Sequence, residues 1–113
     1  MAEERPRPAG KLTISPSGLL KIGERGYDLD DAQAVHDRNP IWIWQDERIR
    51  RDDLGRWNIR PARWRLIGRG PGGVILSVVI ELPSADGRSE VVSVFEASPA
   101  DKSRYADWIR RRQ

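Results

Sequence analysis

Eight arginines, Arg48, Arg50, Arg51, Arg56, Arg60, Arg63, Arg65 and Arg69, fall within one stretch whose only acids are Asp52 and Asp53. Guanidinium stays charged at neutral pH and presents a planar fork of N–H donors that matches the oxygens of a phosphate. Trp57 and Trp64 are interleaved with these arginines, and an indole supplies the flat apolar face on which a nucleobase stacks. Such a set holds and neutralises a phosphate backbone; it does not move protons. A purely structural explanation is equally mechanical, with the arginines solvating the open side of a strand while the tryptophans fill the core. A second cationic group, Arg110, Arg111 and Arg112, closes the chain. Arg111 is a further candidate RNA contact there, although basic residues also complement the negative end of a terminal helix.

Composition removes several other chemistries. The 113 residues hold no cysteine and a single histidine, His36, which excludes a disulfide framework, a thiolate nucleophile and a cysteine-ligated metal. One histidine also argues against a histidine-rich metal site or a Ser-His-Asp triad. His36 is either a residue packed at the core margin or a general base. The acids are scattered singly or sit where helices begin, so no carboxylate pair is marked for hydrolysis or metal-ion binding. Gly68-Arg69-Gly70-Pro71-Gly72-Gly73 lacks the lysine, hydroxyl residue and following helix of a phosphate loop. No cofactor or metal is expected. Twenty basic and 17 acidic side chains leave a net charge of +3, so the basic character is local rather than general.

The elements that must position these arginines follow from periodicity and turn residues. Arg63–Gly70, Val74–Leu82 and Val91–Ala97 are apolar runs separated by Gly70-Pro71-Gly72-Gly73 and Pro83-Ser84-Ala85-Asp86-Gly87, which predicts a three-stranded antiparallel meander. The middle run is apolar on both alternating sets and so belongs at the centre, buried on both faces. Alternation places Trp64 and Leu66 on one side of the first strand and Arg63, Arg65 and Arg69 on the other. Ser15-Pro16 predicts a helix start, with Leu19, Leu20 and Ile22 as its apolar contribution and Gly26 closing it. Asp28-Leu29-Asp30-Asp31 opens a second helix that Asn39-Pro40 ends. Ser98-Pro99-Ala100-Asp101 reads as a capping box opening a third, with Tyr105, Trp108 and Ile109 along one stripe. Ile41–Trp44 is a short strand, Lys11–Ile14 another short extended piece, and residues 45–62 a long connection with Trp57–Ile59 extended. Residues 1–10, proline-rich and charged, are expected to be a disordered tail, and residues 11–113 a single α+β domain. That domain has a small antiparallel sheet, two N-terminal helices and one C-terminal helix. The first residues resemble neither a signal peptide nor an anchor, and no apolar run is long enough to span a membrane, so a cytoplasmic protein is expected.

In that order the residues bring a family into view. Lys21-Ile22-Gly23-Glu24-Arg25-Gly26-Tyr27 with the acid-started helix to Asn39-Pro40 resembles the Lys-His-Gly segment and following helix of BrnT-type toxins of type II toxin-antitoxin modules. The likeness continues through Arg63-Trp64-Arg65-Leu66-Ile67-Gly68-Arg69 and Val91–Ser98 to the basic helix bearing Arg104-Tyr105. Two motifs depart from the pattern: the Lys-His-Gly is here Glu24-Arg25-Gly26, with an acid for the lysine and Arg25 for the histidine, and Phe95 stands where many of these toxins carry arginine. The resemblance implies a RelE-like ribonuclease fold and a metal-independent ribonuclease. In such enzymes the RNA 2′-hydroxyl is the nucleophile, and the protein supplies proton transfer and positive charge. It further implies a cognate antitoxin as partner, with DNA reached only through that antitoxin, and RNA as substrate. On this likeness Arg63 and Arg69 are the catalytic phosphate contacts, with Arg65 helping and Arg25 at a motif position; Trp57 and Arg60 join Arg111 as RNA-binding candidates. The alternative is a non-catalytic binding module of the same fold that engages a protein partner.

Overall fold

The two Gly/Pro turn clusters reverse the chain where their composition requires it. In the computed structural model, which describes residues 5–8 and 10–112, they separate β4 (Arg63–Arg69), β5 (Ile75–Glu81) and β6 (Val91–Glu96). β4 pairs antiparallel with β5, and β5 with β6, so the expected meander is present. β1 (Ile41–Gln45) adds antiparallel to the other side of β4, giving a four-stranded sheet in the order β1-β4-β5-β6. β5 is buried from Leu76 to Ile80, as a run apolar on both alternating sets demands.

One face of the sheet carries Trp64, Leu66, Leu76, Val78, Ile80, Val91 and Val94. Two N-terminal helices cover it, α1 (Pro16–Gly23) through Ile22 and α2 (Leu29–Asp37) through Ala32 and Val35. The Ser15 hydroxyl accepts the Gly18 N–H at 3.0 Å, and Asp28 and Asp31 form a reciprocal capping box at the start of α2. α1 is shorter than its sequence suggests and buries only Ile22; Leu19 and Leu20 point to solvent. Gly68 lets α2 approach, because a β-carbon there would lie 3.1 Å from the Pro40 side chain and 3.2 Å from Val35. The other face packs Ile67, Ala97 and Tyr105 with Ile41, Ile43, Ile75, Trp108 and Ile109, of which Tyr105, Trp108 and Ile109 come from α3 (Pro99–Arg112).

Three expectations change. Residues 45–62 are not an irregular connection: β2 (Arg48–Arg51) and β3 (Trp57–Arg60) pair as a separate antiparallel hairpin. Only half of the α3 capping box forms, because the Asp101 N–H donates to Ser98 Oγ at 3.1 Å while its carboxylate turns to Arg65. Of the tail expected to be disordered, residues 1–4 and 9 lie outside the described residues, but residues 5–8 are seated against the sheet, with Pro8 buried. Lys11–Ile14 contributes one parallel bridge, Thr13 to Glu90. The architecture is α+β, with three α-helices among the described residues, none of them long and apolar enough to cross a membrane.

Candidate nucleic-acid interface

The β2–β3 hairpin turns at Asp52, whose carboxylate accepts the Leu54 and Arg56 backbone N–H groups at 2.9 Å each and the Arg56 Nε at 3.0 Å. These donors, the Arg56 backbone foremost, hold the Asp52 carboxyl below its ordinary value. Gly55 supplies the positive φ of the turn, at 77°. With the turn fixed, Arg48 stands opposite Arg60 and Arg50 opposite Asn58. Directly opposed residues share a face, so Arg48, Arg50, Asn58 and Arg60 form one side of the ribbon and Ile49, Arg51, Trp57 and Ile59 the other. The first side has three cations and no acid.

Pro61 and Ala62 lead from this ribbon into β4, which brings Arg63 beside it. The result is a groove of about 260 Å³ lined by Arg48, Arg50, Asn58, Ile59, Arg60, Pro61 and Arg63. No ion pair joins any of its four arginines to a carboxylate among the described residues; Glu81, opposite Arg63 on β5, is exposed and does not pair with it. The Nε atoms of Arg60 and Arg63 are buried and meet no acceptor among the described residues. A buried donor without an acceptor costs about 1–3 kcal/mol, and Arg48 directly opposite Arg60 adds like-charge repulsion. An anion placed in the groove would offset the repulsion.

The remaining candidates are scattered. Arg63 and Arg69 occupy opposite ends of β4, six residues and so about 20 Å apart at strand rise, too far to share one phosphate. Arg69 is exposed at the strand end. Arg65 lies between them with its Nη1 2.7 Å from Asp101 Oδ2 and 3.4 Å from Ser77 Oγ; both charged side chains are less than one-fifth exposed. That ion pair ties α3 to the sheet, so Arg65 works for the architecture. Phe95, at the position where the resemblance expects a cation, is opposite Ser77 on the neighbouring strand. Trp57 is exposed on the ribbon side away from the groove, with the Arg51 guanidinium 5.0 Å from its ring centre. Arg25 is exposed in the turn after α1, on the helix-covered side of the sheet. Arg111 lines a separate hollow of about 280 Å³ with Ile41, Arg104, Asp107 and Trp108.

Among the described residues no histidine or carboxylate lines the groove. His36 is largely buried at the core margin, with Nδ1 2.8 Å from Asp37 Oδ1 and Nε2 3.2 Å from the Pro8 carbonyl, so both ring nitrogens are occupied. The described residues contain no group of three or more histidines and acids able to hold a metal ion. Arg48 and Arg50 were not separable from their neighbours in the sequence, yet the alternation Arg48-Ile49-Arg50 against Asn58-Ile59-Arg60 is the signal of a two-faced ribbon. No family model matches this chain, and neither does any curated protein or solved structure.

Proposed function

We propose that the protein binds RNA by seating backbone phosphates in the groove between the β2–β3 ribbon and the start of β4. The observation that carries this is the pair of buried, acceptor-less Nε groups of Arg60 and Arg63, with Arg48 and Arg50 beside them. Phosphate oxygens supply the acceptors, and the groove's charge favours a polyanion over a neutral ligand. The BrnT-like sequence pattern supports reading this surface as part of a cytoplasmic toxin with a RelE-like fold, held in check by an antitoxin. In that setting the 2′-oxygen attacks the adjacent phosphorus as its proton passes to solvent water, the bond to the 5′-oxygen breaks and that oxygen takes a proton from water, and a cyclic phosphate and a 5′-hydroxyl result. Arg60 and Arg63 would stabilise the extra negative charge of the pentacoordinate phosphorane.

One observation favours the non-catalytic alternative: among the described residues the groove is lined by arginines, Asn58, Ile59 and Pro61, with no histidine, carboxylate, lysine or tyrosine to take or give a proton there. The test is incubation of a structured RNA with the purified protein in excess chelator, beside the R60A/R63A variant. Cleavage by the parent alone, with cyclic phosphate ends, supports the toxin ribonuclease. Binding by the parent without cleavage supports an RNA-binding module. Equal behaviour of parent and variant removes the groove from the account.

A further inference from the structure

On the opposite side of the sheet, three tryptophans stack edge to face. The Trp64 ring centre is 5.4 Å from that of Trp42 and 5.1 Å from that of Trp44, and His36 closes the row 5.9 Å from Trp42. Trp42 and Trp44 are alternate residues of β1, so they project from one face, and among the described residues β1 pairs only with β4. Residues 5–8 lie across this row. The Arg5 guanidinium sits 4.7 Å from the Trp44 ring centre, and that of Arg7 sits 4.8 Å from Trp42 and 5.1 Å from Trp64. Between them the Trp64 indole N–H donates to the Pro6 carbonyl at 2.6 Å, and beyond them His36 Nε2 meets the Pro8 carbonyl at 3.2 Å.

The register is regular. As the arm advances from residue 5 to residue 7, its contact on β1 retreats from residue 44 to residue 42, so an extended segment runs antiparallel along the strand with matching two-residue steps. Pro6 and Pro8 favour that extended form, and neither has a backbone N–H to leave unpaired. The row therefore reads a guanidinium, a carbonyl, a guanidinium and a carbonyl in order. Two carboxylates flank it. Asp46 accepts the Trp44 indole N–H at 2.6 Å, and Asp37 holds His36 Nδ1 at 2.8 Å. Aromatic faces with acids at their rim suit a cation, and planar guanidinium stacks where ammonium does not.

We propose that the tryptophan face of β1 is a receptor site for an extended, arginine-bearing segment of another polypeptide, with arginines two residues apart. The chain's own residues 5–8 occupy it and compete for it. Each stacking contact is weak at an exposed site, and Arg5, Pro6 and Arg7 are exposed. The arm holds its place through its high effective concentration, which a partner segment making the same contacts overcomes by mass action. This site is separate from the arginine groove, so RNA binding does not bear on its test.

The probe is a free peptide of residues 5–10, titrated into the full-length R5A/R7A chain and into the parent. Readouts are the Trp64 indole N–H resonance and tryptophan fluorescence. The variant should bind the peptide saturably with the Trp64 resonance shifting, and the parent at least tenfold more weakly. A peptide with lysine for both arginines should bind several-fold more weakly, and one with alanine should not bind. Absence of a Trp64 shift in the folded variant, or equal affinity of parent and variant, would overturn the proposal. Should the double alanine variant lose its cooperative melt, the R5K/R7K chain takes its place and the same two outcomes decide.

Discussion

Replacing Arg60 and Arg63 together by glutamine separates an anion site from ordinary surface arginines. Glutamine, though shorter, keeps a hydrogen-bonding amide but removes two charges from a groove in which four arginines have no carboxylate partner among the described residues. For a single strand, each neutralised phosphate contributes about −0.7 to the slope of log K against log salt, so four contacts give about −2.8 and two about −1.4. Raising salt from about 50 to about 200 mM should then weaken the parent about 50-fold and R60Q/R63Q only about 7-fold. Loss of two charge-assisted contacts should weaken low-salt binding by about 3–6 kcal/mol. Stability moves the other way: Arg60 directly opposes Arg48, and ending that repulsion should stabilise the ribbon by about 0.2–1 kcal/mol. Fluorescence anisotropy with a labelled single-stranded RNA at several salt concentrations, beside thermal melts, reads both effects. R69A, at the far end of β4, is the control and should leave slope and melt unchanged. An unaltered slope in R60Q/R63Q would refute the assignment of the groove to phosphate.

Two other substitutions test the architecture. R65A strands the Asp101 carboxylate in a site less than one-fifth exposed, and should cost about 2–4 kcal/mol, a fall of about 10 °C or more in a thermal melt. The apolar pair R65M/D101L should recover most of that loss, and recovery of RNA binding with it would show that Arg65 acts only through the fold. The hydrogen bond from His36, then that from Gln33, holds the Asp37 carboxyl below its ordinary value of 3.8. Its contribution is therefore complete above that value and is lost as pH falls through the lower folded one. D37N should melt slightly below the parent near neutrality, and the two melting curves should converge as pH falls through the lowered folded value.

The meander was legible because its turns are written in residues with few other uses, Gly70 to Gly73 and Pro83 to Gly87, and because β5 is apolar on both sides. The caps of α1 and α2 were legible for the same local reason. The ribbon was not: Arg48-Ile49-Arg50-Arg51 is short and charged, and the strand signal lies in a pairing that only the Asp52 turn creates. Nor was the role of Arg65, whose partner is 36 residues away and looked like the acid of a capping box. The arm was hidden because proline and charge describe a tail until a row of tryptophans is present to receive it. The separation of Arg63 from Arg69 was implicit in strand rise, and it is the geometry that breaks them into different sites.

The most direct measurement follows the arginine Nε–H resonances while a short single-stranded RNA is added. If the groove seats phosphates, the Nε–H signals of Arg60 and Arg63 shift together and exchange more slowly with water, with those of Arg48 and Arg50 moving alongside. Movement confined to Arg69, Arg111 or Arg112, with Arg60 and Arg63 unchanged, would contradict it.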